Sequence, residues 1–475
     1  MGTITRGAAL FAVVSLALSG CSAFEPGLGF SDVERIVSER SGKEVHWNQG
    51  TPEDKAAVQK VQALLEQTLS VDSAIRVALL SNPRLQATFE RLGIAQADMV
   101  QSGLLRNPIL DAEARFSGEG TTIELSIVQG FLDVLYIPLR RQVGAAGFEA
   151  TKLSIAASAL DLAGQVRRVF YELQAIEQKH EMLGSVVAAT DAGYDLAKRM
   201  RAAGNITDLD LANERALHEQ SKLDLASAEL ASIEKREQLS SLMGVWGHEA
   251  ATWKIATRLP PIPETELPLD QLEAQAIDRS LDLARMRHEI EIAGIRTGLA
   301  KPTAWLADAD TGPAAEKESE GKWSVGPGFS VPIPLFDLGR AAAGKAGAIQ
   351  RRVEEMYRAE AIEIRSEART ARARLVAARD RAEYRRVVLL PLRHRILSET
   401  QKHFNAMLVG AFQLLQAKQA ELDAGNRYVD DLLAYWLAQS DLDQILSGSR
   451  PSSTRPVVEL SAADDNEGTS TENLR

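Results

Sequence analysis

The segment Gly339-Arg-Ala-Ala-Ala-Gly344-Lys345-Ala346 has the glycine and lysine spacing of a phosphate-cradling loop. Such a loop also needs a Ser or Thr to hold magnesium, and Ala346 stands there instead. Its glycines sit in a helical run, so no nucleotide site is expected. The 7 histidines are scattered. Only His403 and Met407 share a helical face at i, i+4, and two ligands do not make a metal site. There is no Gly-x-Ser-x-Gly elbow and no His-Glu-x-x-His pair. These observations predict no catalytic residue, no metal site, no cofactor and no enzymatic activity.

The remaining reactive residue is the single cysteine. Arg6 supplies a positive n-region, Ala8 to Leu18 form a short apolar run, and Leu18-Ser19-Gly20-Cys21 closes it with small residues. This resembles a bacterial lipoprotein signal, whose cleavage leaves Cys21 as an acylated first residue. Several acyl chains, at about 0.8 kcal/mol per buried methylene, make anchoring stable. Ser22 stands where an Asp would retain the protein at the inner membrane, so the outer membrane is permitted. The net charge of -11 argues against nucleic acid as a partner, which would call for a clustered basic face.

The elements that must carry these residues are stated twice. Leu69 matches Leu267, Asp72 matches Asp270, Ala78 matches Ala276 and Leu85 matches Leu283 at one offset, which holds through Ile94 with Ile292 and Ala95 with Ala293. A period of about 200 residues exceeds solenoid units and signals duplication of a half-molecule. Hydrophobic residues make up 45% of the chain but aromatics only 5%, so the apolar content is largely Ala, Leu and Val, suited to close-packed helices.

Each half alternates with period two in one place. Leu110, Ala112, Ala114 and Phe116 oppose Asp111, Glu113, Arg115 and Ser117, and after Gly118-Glu119-Gly120 the residues Ile123, Leu125 and Ile127 oppose Thr122, Glu124 and Ser126. In the second half Trp305, Ala307 and Ala309 oppose Asp308 and Asp310; a polar loop over Thr311 to Lys322 follows, then Trp323, Val325, Phe329 and Val331 oppose Ser324 and Ser330. No segment after Cys21 has the roughly 20 apolar residues of a spanning helix, so a crossing would need strands. Four strands cannot close a barrel, and open edges are excluded from lipid. Two copies would give eight strands and three would give twelve.

Long proline-free helices follow each hairpin, from about Leu139 to Ala203 and Asp208 to Met243, then from Arg340 to Met407 with the single Pro391, and from Ala411 to Leu446. Leu209, Ala212, Ala216, Leu223, Ala226, Leu230 and Ile233 keep heptad spacing interrupted at Glu219. The reversals are expected at Gly204 and Gly410, where glycine tolerates the positive φ of a helix stop.

In its order of elements the chain resembles the TolC family of outer-membrane efflux ducts over about residues 65 to 447. The resemblance rests on Ala78-Leu79-Leu80-Ser81-Asn82-Pro83-Arg84-Leu85, Leu104-Leu105-Arg106-Asn107-Pro108, Ile137-Pro138-Leu139 with its twin Val331 to Arg340, and the turns Gly204 to Ala212 and Gly410 to Ala420. It implies a mainly α fold with a small β part: long antiparallel coiled-coil helices in a periplasmic α-barrel, and four strands per chain in a twelve-stranded trimeric outer-membrane β-barrel. It implies a homotrimer in outer-membrane lipid, lipid-anchored and extending into the periplasm. The expected role is an exit duct taking substrate from an inner-membrane pump through a periplasmic adaptor. Val409 to Glu421 and Tyr435-Trp-Leu-Ala are similar to the copper and heavy-metal branch.

The family also implies acids at the periplasmic tip, matched by Asp208, Asp210 and Glu214 as pore-constriction candidates, while Gln413, Gln416 and Gln419 occupy the second turn. The competing expectation is a structural periplasmic lipoprotein tether without a pore. The segments expected are a signal peptide over 1–20, an N-terminal segment over 21–64, a first repeat over 65–247 with strands at about 109–129, a linker over 248–266, a second repeat over 267–447 with strands at about 303–332, and a disordered tail over 448–475.

Overall fold

The computed structural model describes residues 27–117, 120–130, 133–264, 271–299, 310–317, 321–331, 333 and 339–451. Cys21, and the alternating stretch Trp305 to Ala309, lie outside them. Two short helices, α1 (Phe30–Ser41) and α2 (Pro52–Leu65), precede the first repeat. That repeat runs β1 (Thr68–Leu69), α3 (Val71–Ser81), α4 (Pro83–Ser102), β2 (Ile109–Ser117), β3 (Gly120–Gly130), α5 (Asp133–Ala202) and α6 (Asp208–Met243). A short α7 (His248–Thr252) and β4 (Lys254–Ile255), which pairs parallel with β1, lead into the second. Its elements are α8 (Leu272–Arg279), α9 (Leu281–Leu299), β5 (Asp310–Lys317), β6 (Ser324–Ser330), α10 (Arg340–Tyr384), a π-helical turn (Arg385–Leu389), α11 (Leu390–Asn405) and α12 (Ala411–Ser447). The fold is mainly α with a small antiparallel sheet.

The duplication survives as one recurring junction. Asn82 ends α3 and caps α4 by accepting from the Leu85 N–H at 3.0 Å, while its amide donates to the Leu242 carbonyl at 2.7 Å near the end of α6. Its twin Ser280 accepts from the Leu283 N–H at 3.1 Å, and the Leu281 N–H donates to the Gly448 carbonyl at 2.9 Å just past α12. Each returning long helix stops at a left-handed glycine, Gly244 at φ 73° and Gly448 at φ 94°, against its own repeat's helix break. Ala78 and Ala276, Leu85 and Leu283 are buried in both copies. The first repeat's core gathers around the middle of α5, with Phe89, Ile155, Leu173, Leu239 and Met243 fully enclosed.

Four strands form one sheet in the order β2-β3-β5-β6, all antiparallel. The register puts Leu110 opposite Ile127 and Ala112 opposite Leu125, which in turn faces Ala315 and then Val325. One face is therefore apolar through the middle of all four strands, out to exposed Phe116 and Phe329, with Thr121 and Lys317 toward one end and Gln129 and Thr311 at the other. The other face carries Glu113, Glu124 and Glu316 in one row. The outer edges of β2 and β6 pair with no strand among the described residues.

One expectation is corrected. The second hairpin's first strand is Asp310–Lys317, where the sequence reading placed a polar loop. Its Thr-Gly-Pro-Ala-Ala-Glu-Lys is a poor strand former in isolation; pairing to β3 and β6 on both sides decides its state. The heptad seam of α6 is not the face that packs inside the chain. Glu214, His218, Ser221 and Leu239 face α5, while Leu209, Leu223, Leu230 and Ile233 are exposed. Among the described residues no helix is long and apolar enough to cross a membrane.

Candidate functional site

The two hairpin turns carry the sequence's candidate residues. α5 ends at Ala202, Gly204 beyond it takes φ 74°, and Thr207 starts α6 as N-cap. The Thr207 hydroxyl accepts from the Asp210 N–H at 3.1 Å, and the Asp210 carboxylate accepts from the Thr207 N–H at 2.9 Å. This reciprocal capping box satisfies two N–H groups that a helix start leaves orphaned. The Thr207 hydroxyl, which also donates to the Asp210 carboxylate at 2.7 Å, and then the Thr207 N–H hold that carboxyl below the usual carboxylate value. Asp208, on the first turn, receives a two-pronged bond from Arg201 at 2.6 and 2.9 Å. That bond, then the Arg201 charge, lowers its pKa as well. Both acids stay ionised at neutral pH on the surface of the turn.

The second turn is built differently. Its left-handed residue is Met407, φ 58°, and Gly410 is an extended N-cap at φ -82°. The expectation of a positive φ at Gly410 is thus corrected: α11 has already stopped, and glycine here starts α12. Gln413 accepts from the Gly410 N–H at 2.9 Å, so it stands where Asp210 stands in the first repeat. The tip is also apolar in a way the sequence reading did not single out. Met407 is 93% exposed, with Leu408 and Phe412 beside it. The signal was present in Met-Leu-Val-Gly-Ala-Phe, an apolar run at a predicted reversal.

Glu214 is set apart from Asp208 and Asp210. It is only 8% exposed, turned between α5 and α12, where Gly193 leaves a notch that the Leu415 side chain enters. One carboxylate oxygen has no hydrogen-bond partner among the described residues, and burial raises its pKa. One turn further, His218 lies 3.4 Å from the Thr190 hydroxyl and stacks on Tyr194. At the matching level of the second hairpin His394 bonds Glu421 at 2.9 Å. Each hairpin thus has a polar rung at this level, several turns above its tip.

A raised carboxylate pKa means stability that is full below the usual value near 4.5 and is lost as pH rises through the folded value. Glu214→Gln should therefore stabilise the hairpins at pH 8 by roughly 1 kcal/mol, with the gain fading near pH 4. Circular dichroism melts of both proteins at the two pH values check this; an equal shift at both would show that charge is not the cause.

The two hairpins are not level. Met182 packs on Gly425, Leu415 sits at Gly193, and Tyr171 stacks on Trp436 with ring centroids 5.1 Å apart. At 1.5 Å per residue these contacts place the second turn about 8 Å short of the first. The acidic turn leads and the apolar turn follows. Residues 340–346, with the phosphate-loop spacing, form the first turns of α10 and no loop.

No family model matches the chain. It is 22% identical over 390 residues to the cobalt-zinc-cadmium resistance protein CzcC of Cupriavidus metallidurans, covering 80% of this chain and 90% of that one. The structure superposes on the outer-membrane channel OprN with a TM-score of 0.67 at 16% identity, covering 80% of this chain and 90% of that one. Against the outer membrane protein VceC of Vibrio cholerae the TM-score is 0.63 at 16% identity, with 80% and 96% covered. A repeated unit of strand hairpin and long helix pair, over nearly the whole length of these proteins, leaves one conclusion: the chain has the fold of the TolC-like outer-membrane channels.

Proposed function

We propose that the chain is the outer-membrane exit duct of a tripartite efflux system, passively conducting substrate delivered by an inner-membrane pump and a periplasmic adaptor. The observation that carries this reading is the sheet: four strands with an apolar band across the middle of one face, and with both edges unpaired among the described residues. Lipid tolerates such a sheet only when it closes. Three copies supply twelve strands, and the helix pairs then continue the wall below.

The polar face becomes the lumen, where Glu113, Glu124 and Glu316 lie in one row and Arg115 bonds Glu113 at 2.8 Å. Excess negative charge in a pore favours cations. This agrees with a metal-ion cargo, as the name of CzcC suggests for that relative. Asp208 and Asp210 ring the leading turn, and the apolar turn around Met407 offers the adaptor a docking surface. Acylation of Cys21 fixes the chain to the outer membrane.

One preparation tests the reading. Detergent-extracted protein should show a trimer by native mass spectrometry, carry acyl mass on the peptide that begins with Cys21, and open cation-preferring conductance in planar bilayers. A monomer that forms no conductance would refute it.

A further inference from the structure

Between α10 and α12 runs an open groove of about 710 Å³. Ala373 and Ala377 of α10 and Ala434 and Leu437 of α12 give it apolar walls, and Arg369, Arg374 and Arg381 stand along it. The fold leaves most of this positive charge unmatched. Arg374 has no ion pair and no hydrogen-bond partner among the described residues, and Arg381 lies 3.8 Å from an Asp431 whose nearer partner is Arg385 at 2.6 Å. Asp441, which also lines the groove, is held by Arg168 of α5. Arg369 has a close partner, Glu273 at 2.9 Å. The described chain ends at the head of the same groove. Arg450 is fixed by Glu360, Glu363 and Glu367, and two turns further along the same stripe of α10 stand Thr370 and Arg374, both of which line the groove. Pro451 is buried there. Beyond it, residues 456–474 carry five acids and no Lys or Arg, with Val457, Val458 and Leu460 ahead of the pair Asp464-Asp465.

We infer that residues 457–465 seat in the groove between α10 and α12 of their own chain, with Val457, Val458 and Leu460 on the alanines and Glu459, Asp464 and Asp465 toward Arg374 and Arg381. The reach is sufficient. Extended chain from Pro451 to Val457 spans about 20 Å at roughly 3.3 Å per residue, and Ala377 lies about 15 Å along α10 from Glu367. A tethered segment meets its site at an effective concentration on the order of millimolar, so contacts too weak to recruit a separate chain suffice. The seated tail runs back along α12 and ties it to α10 beyond the Arg450 contact. It needs one chain only, and so does not depend on how copies assemble.

Full-length protein carrying benzoylphenylalanine at Ser461 is irradiated, and the products are separated on denaturing gels and mapped by mass spectrometry. The expected cross-links join the tail to residues 366–381 or 434–441 within the band of a single chain. The same cross-links in a band of two chains would put the tail on a neighbouring copy and overturn the proposal. Attachment elsewhere, to another protein or nowhere overturns it too. Arg374 is exposed and unpaired, so replacing it leaves the helix pair intact. Arg374→Glu should lower the single-chain yield roughly threefold, the worth of one exposed ion pair, and adding Asp464→Arg should restore it. A yield that Arg374→Glu does not move, or that the charge swap does not restore, overturns the seating.

Discussion

Arg450→Met is expected to cost about 3 kcal/mol, the low end of what breaking a buried ion pair costs. Arg450 follows α12 and is only 6% exposed. Its guanidinium reaches Glu360 at 2.7 Å and Glu363 at 3.1 Å, and forms a two-pronged pair with Glu367. Burial works against its charge, but the bonds to Glu367 and Glu360 outweigh it and raise the pKa. Removal leaves three carboxylates on one side of α10 with no cation. Glu363 is the most exposed of the three, which limits the loss.

The strap also joins the repeats: the Ser449 hydroxyl donates to the Ala157 carbonyl of α5 at 3.2 Å, while Arg450 holds α10. Loosening it should therefore lower melting of both repeats together. Burial already raises the Glu360 pKa in the native protein. Without Arg450 the Glu360 carboxyl loses the bond and charge that oppose that rise, so the variant regains stability as it protonates. The gap between wild type and variant should be widest at neutral pH and close below about pH 4. Calorimetry across that range checks it, and a gap independent of pH would assign the loss to packing alone.

Local rules with one solution were legible. Thr207-x-x-Asp210 starts α6 at the residue where the sequence places the helix, because a capping box has a fixed spacing. Alternation over Leu110 to Ile127 located the first hairpin because one apolar face is continuous there. What depended on tertiary partners was not. β5 has the composition of a loop and becomes a strand through its neighbours. The seam of α6 was visible as a period, but a helix with two usable faces does not reveal which one stays inside. Here the polar-lined face packs on α5, using His218 and Ser221, and the apolar face is exposed.

The tip divided in the same way. Asp208 and Asp210 are surface acids whose partners lie within a few residues in sequence. Glu214 is buried only because Leu415, two hundred residues away, fills the notch at Gly193. Arg450 stood in a segment whose composition reads as disordered, yet four residues past α12 remain ordered. Composition averaged over 448–475 hides one arginine with three carboxylate partners.

The largest backbone effect is expected at Gly448→Ala, and Gly204→Ala is its control. Both glycines are left-handed, φ 94° and φ 74°, so alanine is strained at each by roughly 1–2 kcal/mol. Their surroundings differ. Around Gly204 a Cβ would meet nothing within 4 Å, so that substitution should cost only the strain. At Gly448 the added carbon would press into the Arg279 backbone carbonyl and the Arg40 guanidinium. Arg40 itself donates to the carbonyls of Arg279 and Ser447 at this point, so it is not a loose end that can swing away. The twin position behaves alike: a Cβ on Gly244 would sit 2.7 Å from the Ser81 carbonyl oxygen and 2.8 Å from the Asn82 Cα.

Backbone must therefore move at either junction, opening the contact between the returning long helix and the helix break it rests on. The total should exceed about 3 kcal/mol at Gly448, strain and overpacking together. Thermal melts of the two variants separate the contributions, because strain is common to both and the clash is not. Equal destabilisation would mean that the junction yields without cost, and that the repeated glycine is retained for its φ alone.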